Sequence, residues 1–180
     1  MGLEERVKNL EKRLEALEKN KKKDNGVDDS VITMDLLLPE ADIGGLHFNE
    51  TKVKAVFEKK DNWYYSRDIL FMSARNIEDD NSVDILTEYL ESYAFKNCIR
   101  QQLPENIFGE VLNTERIEVC IPEENQGVKK YNSVDWLYWL KPRSTAGSAY
   151  FVIVSCRGNS TFSYASSALG CAPAFCVSDN

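Results

Sequence analysis

Val134-Asp-Trp-Leu-Tyr-Trp-Leu-Lys-Pro-Arg-Ser144 and Ala149-Tyr-Phe-Val-Ile-Val-Ser155 set the terms on which the rest of the chain is read. Their aromatic and β-branched runs, Trp136 to Leu140 and Tyr150 to Val154, are strand-forming residue types, and a third short run stands at Phe175 to Val177. Gly, Ser and Asn separate the three, the pattern of short strands joined by solvent-facing loops. If Val152 and Val154 face the core, strand alternation turns Ile153, Ser155 and Arg157 outward. Trp136, Trp139, Phe151, Pro173 and Phe175 are expected inside.

The same tract has a restricted alphabet. Residues 144 to 177 contain no Lys, Glu, Gln, Met or Trp, whereas those five types supply about 28 per cent of the first 143 residues. At that background, a run of this length free of all five arises by chance on the order of once in 10^5 trials. Buried strands and Ser/Gly loops avoid long charged side chains, which is the plain cause. The sharper cause lies in the codons. The five missing types are those that no codon of the form any-any-pyrimidine specifies, and every residue present can be so specified.

The order Asp135-Trp136, Trp139-Leu140, Arg143-Ser144, Ala149-Tyr150-Phe151, Gly158, Ala165-Ser166, Gly170 and Ala172-Pro-Ala-Phe175 resembles the variable proteins of diversity-generating retroelements. These have a C-type lectin fold of the formylglycine-generating-enzyme-like kind. With Leu70 to Asn76 and the helix after it, the resemblance covers roughly residues 33 to 178. In that family a reverse transcriptase miscopies adenines, so that Asn codons become nearly any residue except the five missing here. The resemblance implies a variable region over about 137–177, with its exposed positions between Leu137 and Ser166. The expected ligand-binding residues are Tyr138, Lys141, Ser144, Thr145, Ile153, Ser155, Arg157, Asn159, Thr161, Phe162 and Tyr164. Ser, Tyr, Asn and Arg on loops over a rigid scaffold are the types that evolved binding surfaces use. Lys141 stands apart, because the mutated codon type cannot write it.

Composition narrows the function further. At 180 residues and 43% hydrophobic the chain can bury one sizeable core. A net charge of -7 argues against a nucleic-acid grip, since the one dense basic run, Lys21-Lys-Lys23, stands beside Asp24 and reads as a solvated linker. No apolar run approaches a membrane span, and the charged N-terminus is not a signal peptide. Five cysteines without paired CxxC spacing point to reduced thiols and no structural zinc. His47, the only histidine, has no second ligand at metal spacing and reads as a surface or structural residue. Glu78-Asp79-Asp80 reads as a helix-capping run ahead of a calcium site, because it lacks the spaced ligands and Gly of a calcium loop.

At the N-terminus Leu3, Val7, Leu10, Leu14 and Leu17 alternate spacings of four and three, a seam of a and d positions. Arg6 and Arg13 at g face Glu11 and Glu18 at e of the next heptad, the geometry of a parallel bundle, and Arg6-Val-Lys-Asn-Leu-Glu11 resembles a trimer signature. The organisation expected is therefore a coiled-coil helix over 1–20, a flexible linker over 21–32 and a C-type lectin-like α+β domain over 33–180. The strands expected in that domain are Met34 to Pro39, Val53 to Phe57 and Glu115 to Ile121. Gly44-Gly45 to Asn49 is expected as a loop, and Ser82 to Gln102 as the main helical region, capped by Asn81 or Ser82 and with Leu86, Leu90 and Tyr93 on one face. Glu123 to Tyr131 is expected to hold a helical turn or two.

The function expected is binding without catalysis or cofactor: a homotrimer joined through residues 3–17, offering a hypervariable face to a protein or glycan on a cell surface. Its place would be a phage or prophage receptor-binding tip on the virion, or a bacterial surface. Two alternatives remain open, a structural tail or fibre-cap protein and a formylglycine-generating-type oxidase using Cys171 and Cys176. In that enzyme family the cysteine pair precedes the loop that aligns with Ala165 to Gly170, whereas here both follow it.

Overall fold

The computed structural model describes residues 7–15, 29–77, 82–104, 116–145, 147 and 149–178. Leu3, Leu17, the basic run and Glu78-Asp79-Asp80 lie outside the described residues. The protein is mixed α+β, built mostly of antiparallel strands. Helix α1 (7–15) keeps Val7, Leu10 and Leu14 of the heptad seam exposed.

The first strand, β1 (Val31–Leu38), begins inside the stretch read as linker. Its alternation is strict: Ile32, Met34, Leu36 and Leu38 are buried while Val31, Thr33, Asp35 and Leu37 are exposed, as the two-residue period of a one-sided strand requires. The expected loop at Gly44-Gly45 is the turn of a small hairpin, β2 (Ala41–Ile43) and β3 (Leu46–Phe48), with both glycines at positive φ. β4 (Thr51–Lys60) and β5 (Trp63–Ser66) follow, then β6 (Phe71–Ser73).

The helical region is two helices, α2 (Ile85–Glu91) and α3 (Tyr93–Gln102). Ser92 breaks it, with extended backbone at ψ 149°. Its hydroxyl donates to Tyr89 O at 2.6 Å and accepts from the Phe95 amide at 3.2 Å, so one side chain closes α2 and caps α3. The break resets the helical phase. Leu86 and Leu90 are buried as expected, but Tyr93 is turned out and 72% exposed. The N-cap is Asp84, whose side chain accepts from the Thr87 amide at 3.1 Å, two or three residues beyond the expected position.

β7 (Ile117–Cys120) ends before Pro122. No helical turn follows. Residues 123–128 lead as irregular chain into the hairpin of β8 (Lys129–Tyr131) and β9 (Val134–Trp136). The last third supplies β10 (Tyr138–Arg143), β11 (Tyr150–Val154), β12 (Ser160–Tyr164), β13 (Leu169–Cys171) and β14 (Ala174–Val177).

Two five-stranded sheets result, in the orders β1-β4-β5-β14-β7 and β12-β11-β10-β13-β6. The main core lies under α2 and α3 and holds Phe57, Leu86, Tyr89, Phe95, Trp139, Phe151, Ile153 and Phe175. A smaller cluster of Ile69, Tyr138, Leu140, Val154 and Ala172 fills the other face of the second sheet. Gly170 is obligatory in β13, since an added Cβ would stand 2.6 Å from Ile69 Cδ1 and 2.8 Å from Leu137 O.

Covering the second sheet on both faces corrects the inside-outside reading of β11. Ile153 is 2% exposed and belongs to the main core with Phe151, while Val154 enters the smaller cluster. Tyr138 is fully buried, its hydroxyl donating to Gly127 O at 2.6 Å. Trp136, expected inside, is 40% exposed, and its β8–β9 hairpin belongs to neither large sheet. Trp139, Phe151, Pro173 and Phe175 are buried as expected.

Lys129 is 4% exposed and donates from Nζ to the carbonyl oxygens of Ser66 and Arg67. Burial pushes its ammonium down to about 8, with Asp68 and Glu58 opposing the shift. The unfolded chain therefore holds more protons than the folded one between about pH 8 and lysine's ordinary value of 10.5, and the Lys129 contribution to stability rises across that window. Urea midpoints at about pH 7.5 and about pH 9.5 should show a rise in the wild-type protein that Lys129→Met lacks once the two proteins are subtracted. Equal pH dependence in both would refute this role.

Candidate functional site

The residues expected to bind ligand divide into five groups. Tyr138 and Ile153 are core. Lys141 is exposed but directed elsewhere: its ammonium lies 3.3 Å from Glu123 and its amide donates to Pro122 O, placing it against the β7 side of the molecule.

Ser144 and Thr145 lie at the start of the β10–β11 connection. Ser144 is half-buried, its amide donating to Tyr150 O at 2.9 Å, and Thr145 is exposed. Ser155, Arg157 and Asn159 form the β11–β12 turn. Ser155 is its keystone: the amide donates to Asn159 O at 2.8 Å and the hydroxyl accepts from the Arg157 and Asn159 amides at 3.3 Å each. That side chain is engaged within the turn, whereas Arg157 and Asn159 stand in solvent. Gly158 takes φ +82°, which lets the turn close without a Cβ in the left-handed region.

Thr161, Phe162 and Tyr164 lie on β12, an edge strand of the second sheet. The register separates them. Tyr150 pairs with Tyr164 and Val152 with Phe162, so these aromatics share one face, while Thr161 opposite Ile153 projects from the other. Phe162 is 51% and Tyr164 56% exposed. Tyr150 lies 4.3 Å from Tyr164 and 5.5 Å from Phe162 between ring centroids, joining them into one cluster. A hydrogen bond with Tyr164 raises the Tyr150 hydroxyl above its ordinary value. The exposed surface thus runs the length of β12, about 14–17 Å, from Thr145 and Tyr164 at one end to Arg157 at the other. Arg157 is its sole charge beside the uncharged β12.

Tyr150 was missed as a site residue. The signal was present, since it lies in the restricted tract and an antiparallel partner two residues from an expected position shares its face. A flat, uncharged, aromatic edge offers ring surface at low entropy cost together with unpaired strand backbone. It carries no acid, base or nucleophile poised for chemistry.

The cysteines are all free. Cys171 is fully buried and burial drives its thiol far up, while Cys176 is half-buried with its thiol raised by burial and by Glu118. Neither setting favours a thiolate. Exposed His47 bonds Asp42 at 2.7 Å, which raises its proton affinity. Among the described residues no group of three His, Cys, Asp or Glu side chains could hold a metal ion, and no helix is long and apolar enough to cross a membrane. The chain matches no family model, no curated protein and no solved structure.

Proposed function

We propose that the protein binds a ligand through a hypervariable C-type-lectin-like surface written by a retroelement, and that an N-terminal coiled coil presents several copies together. The observation that carries the reading is a coincidence. Arg157, Asn159, Thr161, Phe162 and Tyr164, drawn from the restricted alphabet, are all exposed on one turn and one edge strand. The constant-looking Trp139, Phe151 and Phe175 are buried beneath. Diversification is tolerable only where side chains leave the core alone, because surface substitutions away from special features stay within about 0.5 kcal/mol. The exposed Val7, Leu10 and Leu14 seam supports self-association, and a trimer raises weak single-site affinity by avidity. In this reading the protein is a phage or prophage receptor-binding tip, or a bacterial surface-display protein, and it is not an enzyme.

Two measurements test it. DNA beside the coding sequence should contain a near copy of the codons for residues 137–177 that differs only at adenines, and its absence across the surrounding locus would sink the retroelement. A library randomised at Arg157, Asn159, Thr161, Phe162 and Tyr164 should keep its melting temperature within a few degrees in most members, roughly 2–4 °C per kcal/mol at this size. Widespread unfolding in that library would show that these positions support the fold.

A further inference from the structure

Away from the β11–β12 end, a cleft of about 550 Å3 opens along the β5–β14–β7 side of the first sheet. Strand register builds it. Tyr65 and Cys120 are both cross-strand partners of Ala174 and form one row with it, while Trp63 and Glu118, both partners of Cys176, form the next. The small Ala174 lies between a half-buried aromatic wall, Trp63 and Tyr65, and the β7 side chains Glu118 and Cys120. β5 and β7 are two strand spacings apart, about 9–10 Å, room for one flat group between a ring and a carboxylate.

The charges favour a cation. Glu123 and Glu124 close the end beyond Pro122, and Glu91 lines the cleft as well. Exposed ion pairs with Lys141 and Lys60 occupy Glu123 and Glu124, and such pairs exchange cheaply. Among the described residues no cation pairs with Glu91 or Glu118, and Lys96 is the remaining ammonium on the lining. The negative ring faces and the carboxylates therefore act in the same direction. A neutral sugar could stack on the rings but would leave the carboxylate charge unmatched.

We propose that this cleft binds an arginine side chain of a partner polypeptide, its guanidinium over Ala174 against the Trp63 and Tyr65 rings and its N–H fork turned to Glu118. Arginine fits better than lysine because a planar, weakly hydrated fork both stacks on a ring and bonds a carboxylate in two places. The site is independent of the binding surface proposed above, since none of its lining residues belongs to that surface, and it survives if the retroelement reading fails.

Fluorescence anisotropy of a fluorescein-labelled Gly-Arg-Gly-Arg-Gly peptide, titrated with the full chain at about 150 mM salt, tests it. Saturable binding is expected, weakened at least about tenfold by Glu118→Gln and by Trp63→Leu. Glu40→Gln, which removes an exposed carboxylate elsewhere, should stay within about twofold, and a peptide with citrulline for arginine should not bind. Circular dichroism melts of each variant verify the fold. No saturable binding, equal weakening by Glu40→Gln, or equal binding of the citrulline peptide would overturn the proposal. So would binding of a neutral oligosaccharide that Trp63→Leu abolishes while the arginine peptide fails to bind.

Discussion

Asp84→Ala is expected to cost about 3–5 kcal/mol of folding free energy, enough to leave a domain of ordinary stability close to unfolding. Asp84 and Arg75 form an ion pair at 2.9 Å with 6% and 1% of their side chains exposed. Arg75 runs across the interior: it also donates to the carbonyl oxygens of Leu140 and Lys141, and its guanidinium lies 3.7 Å from the centroid of the Phe151 ring. Burial works against the charge on both groups. For Asp84, the Arg75 guanidinium and the Thr87 donors outweigh burial and hold the carboxyl below the ordinary carboxylate range. Removing the carboxylate leaves a guanidinium inside the protein without a counter-charge and strips α2 of its cap. Arg75→Met should also destabilise, and Arg75→Met with Asp84→Ala should cost clearly less than the sum, because no bare charge remains. Urea denaturation of the four proteins measures the coupling, and strict additivity would refute it. The depressed Asp84 carboxyl contributes stability above the unfolded carboxylate value, near pH 4, which is lost as pH falls through its lower folded value.

Trp139→Ala should be comparably severe, about 3–5 kcal/mol. The ring is fully buried, meets Phe151 edge-on at 6.3 Å between centroids, and donates from Nε1 to Ser73 O at 2.8 Å. The truncation opens a cavity beside Arg75 and orphans the Ser73 carbonyl. Trp139→Phe separates the two effects, since it keeps most of the apolar area and loses the donor, at about 1–3 kcal/mol. A midpoint for Trp139→Phe as low as that of Trp139→Ala would mean that the hydrogen bond dominates over packing.

These two residues differ in how far they could be foreseen. Trp139 was expected inside because an aromatic run between turn residues has few other places to go. Nothing around Arg75 or Asp84 distinguishes them from surface charges in the sequence. The segment between them includes 78–81, and their shared environment comes from β10, some 65 positions further along the chain. Lys129 is the same kind of case, with carbonyl partners at Ser66 and Arg67.

By itself the sequence determined what short-range physics controls: the strand-forming runs at Trp136 to Leu140, which Leu137 divides between β9 and β10, at Tyr150 to Val154 and at Phe175 to Val177, the alternation of Val53 to Phe57, the heptad seam, and the restricted alphabet of residues 144 to 177. The tertiary structure alone decided which faces are covered. Periodicity marks two sides of a strand but cannot count the layers that pack on them. Ile153 and Tyr138 left the expected binding surface because α2, α3 and the main core close one face of the second sheet while Ile69, Leu140 and Ala172 close the other. Burial is a property of distant segments meeting, and that is why the arginine, the lysine and the cleft over Ala174 became visible only in three dimensions.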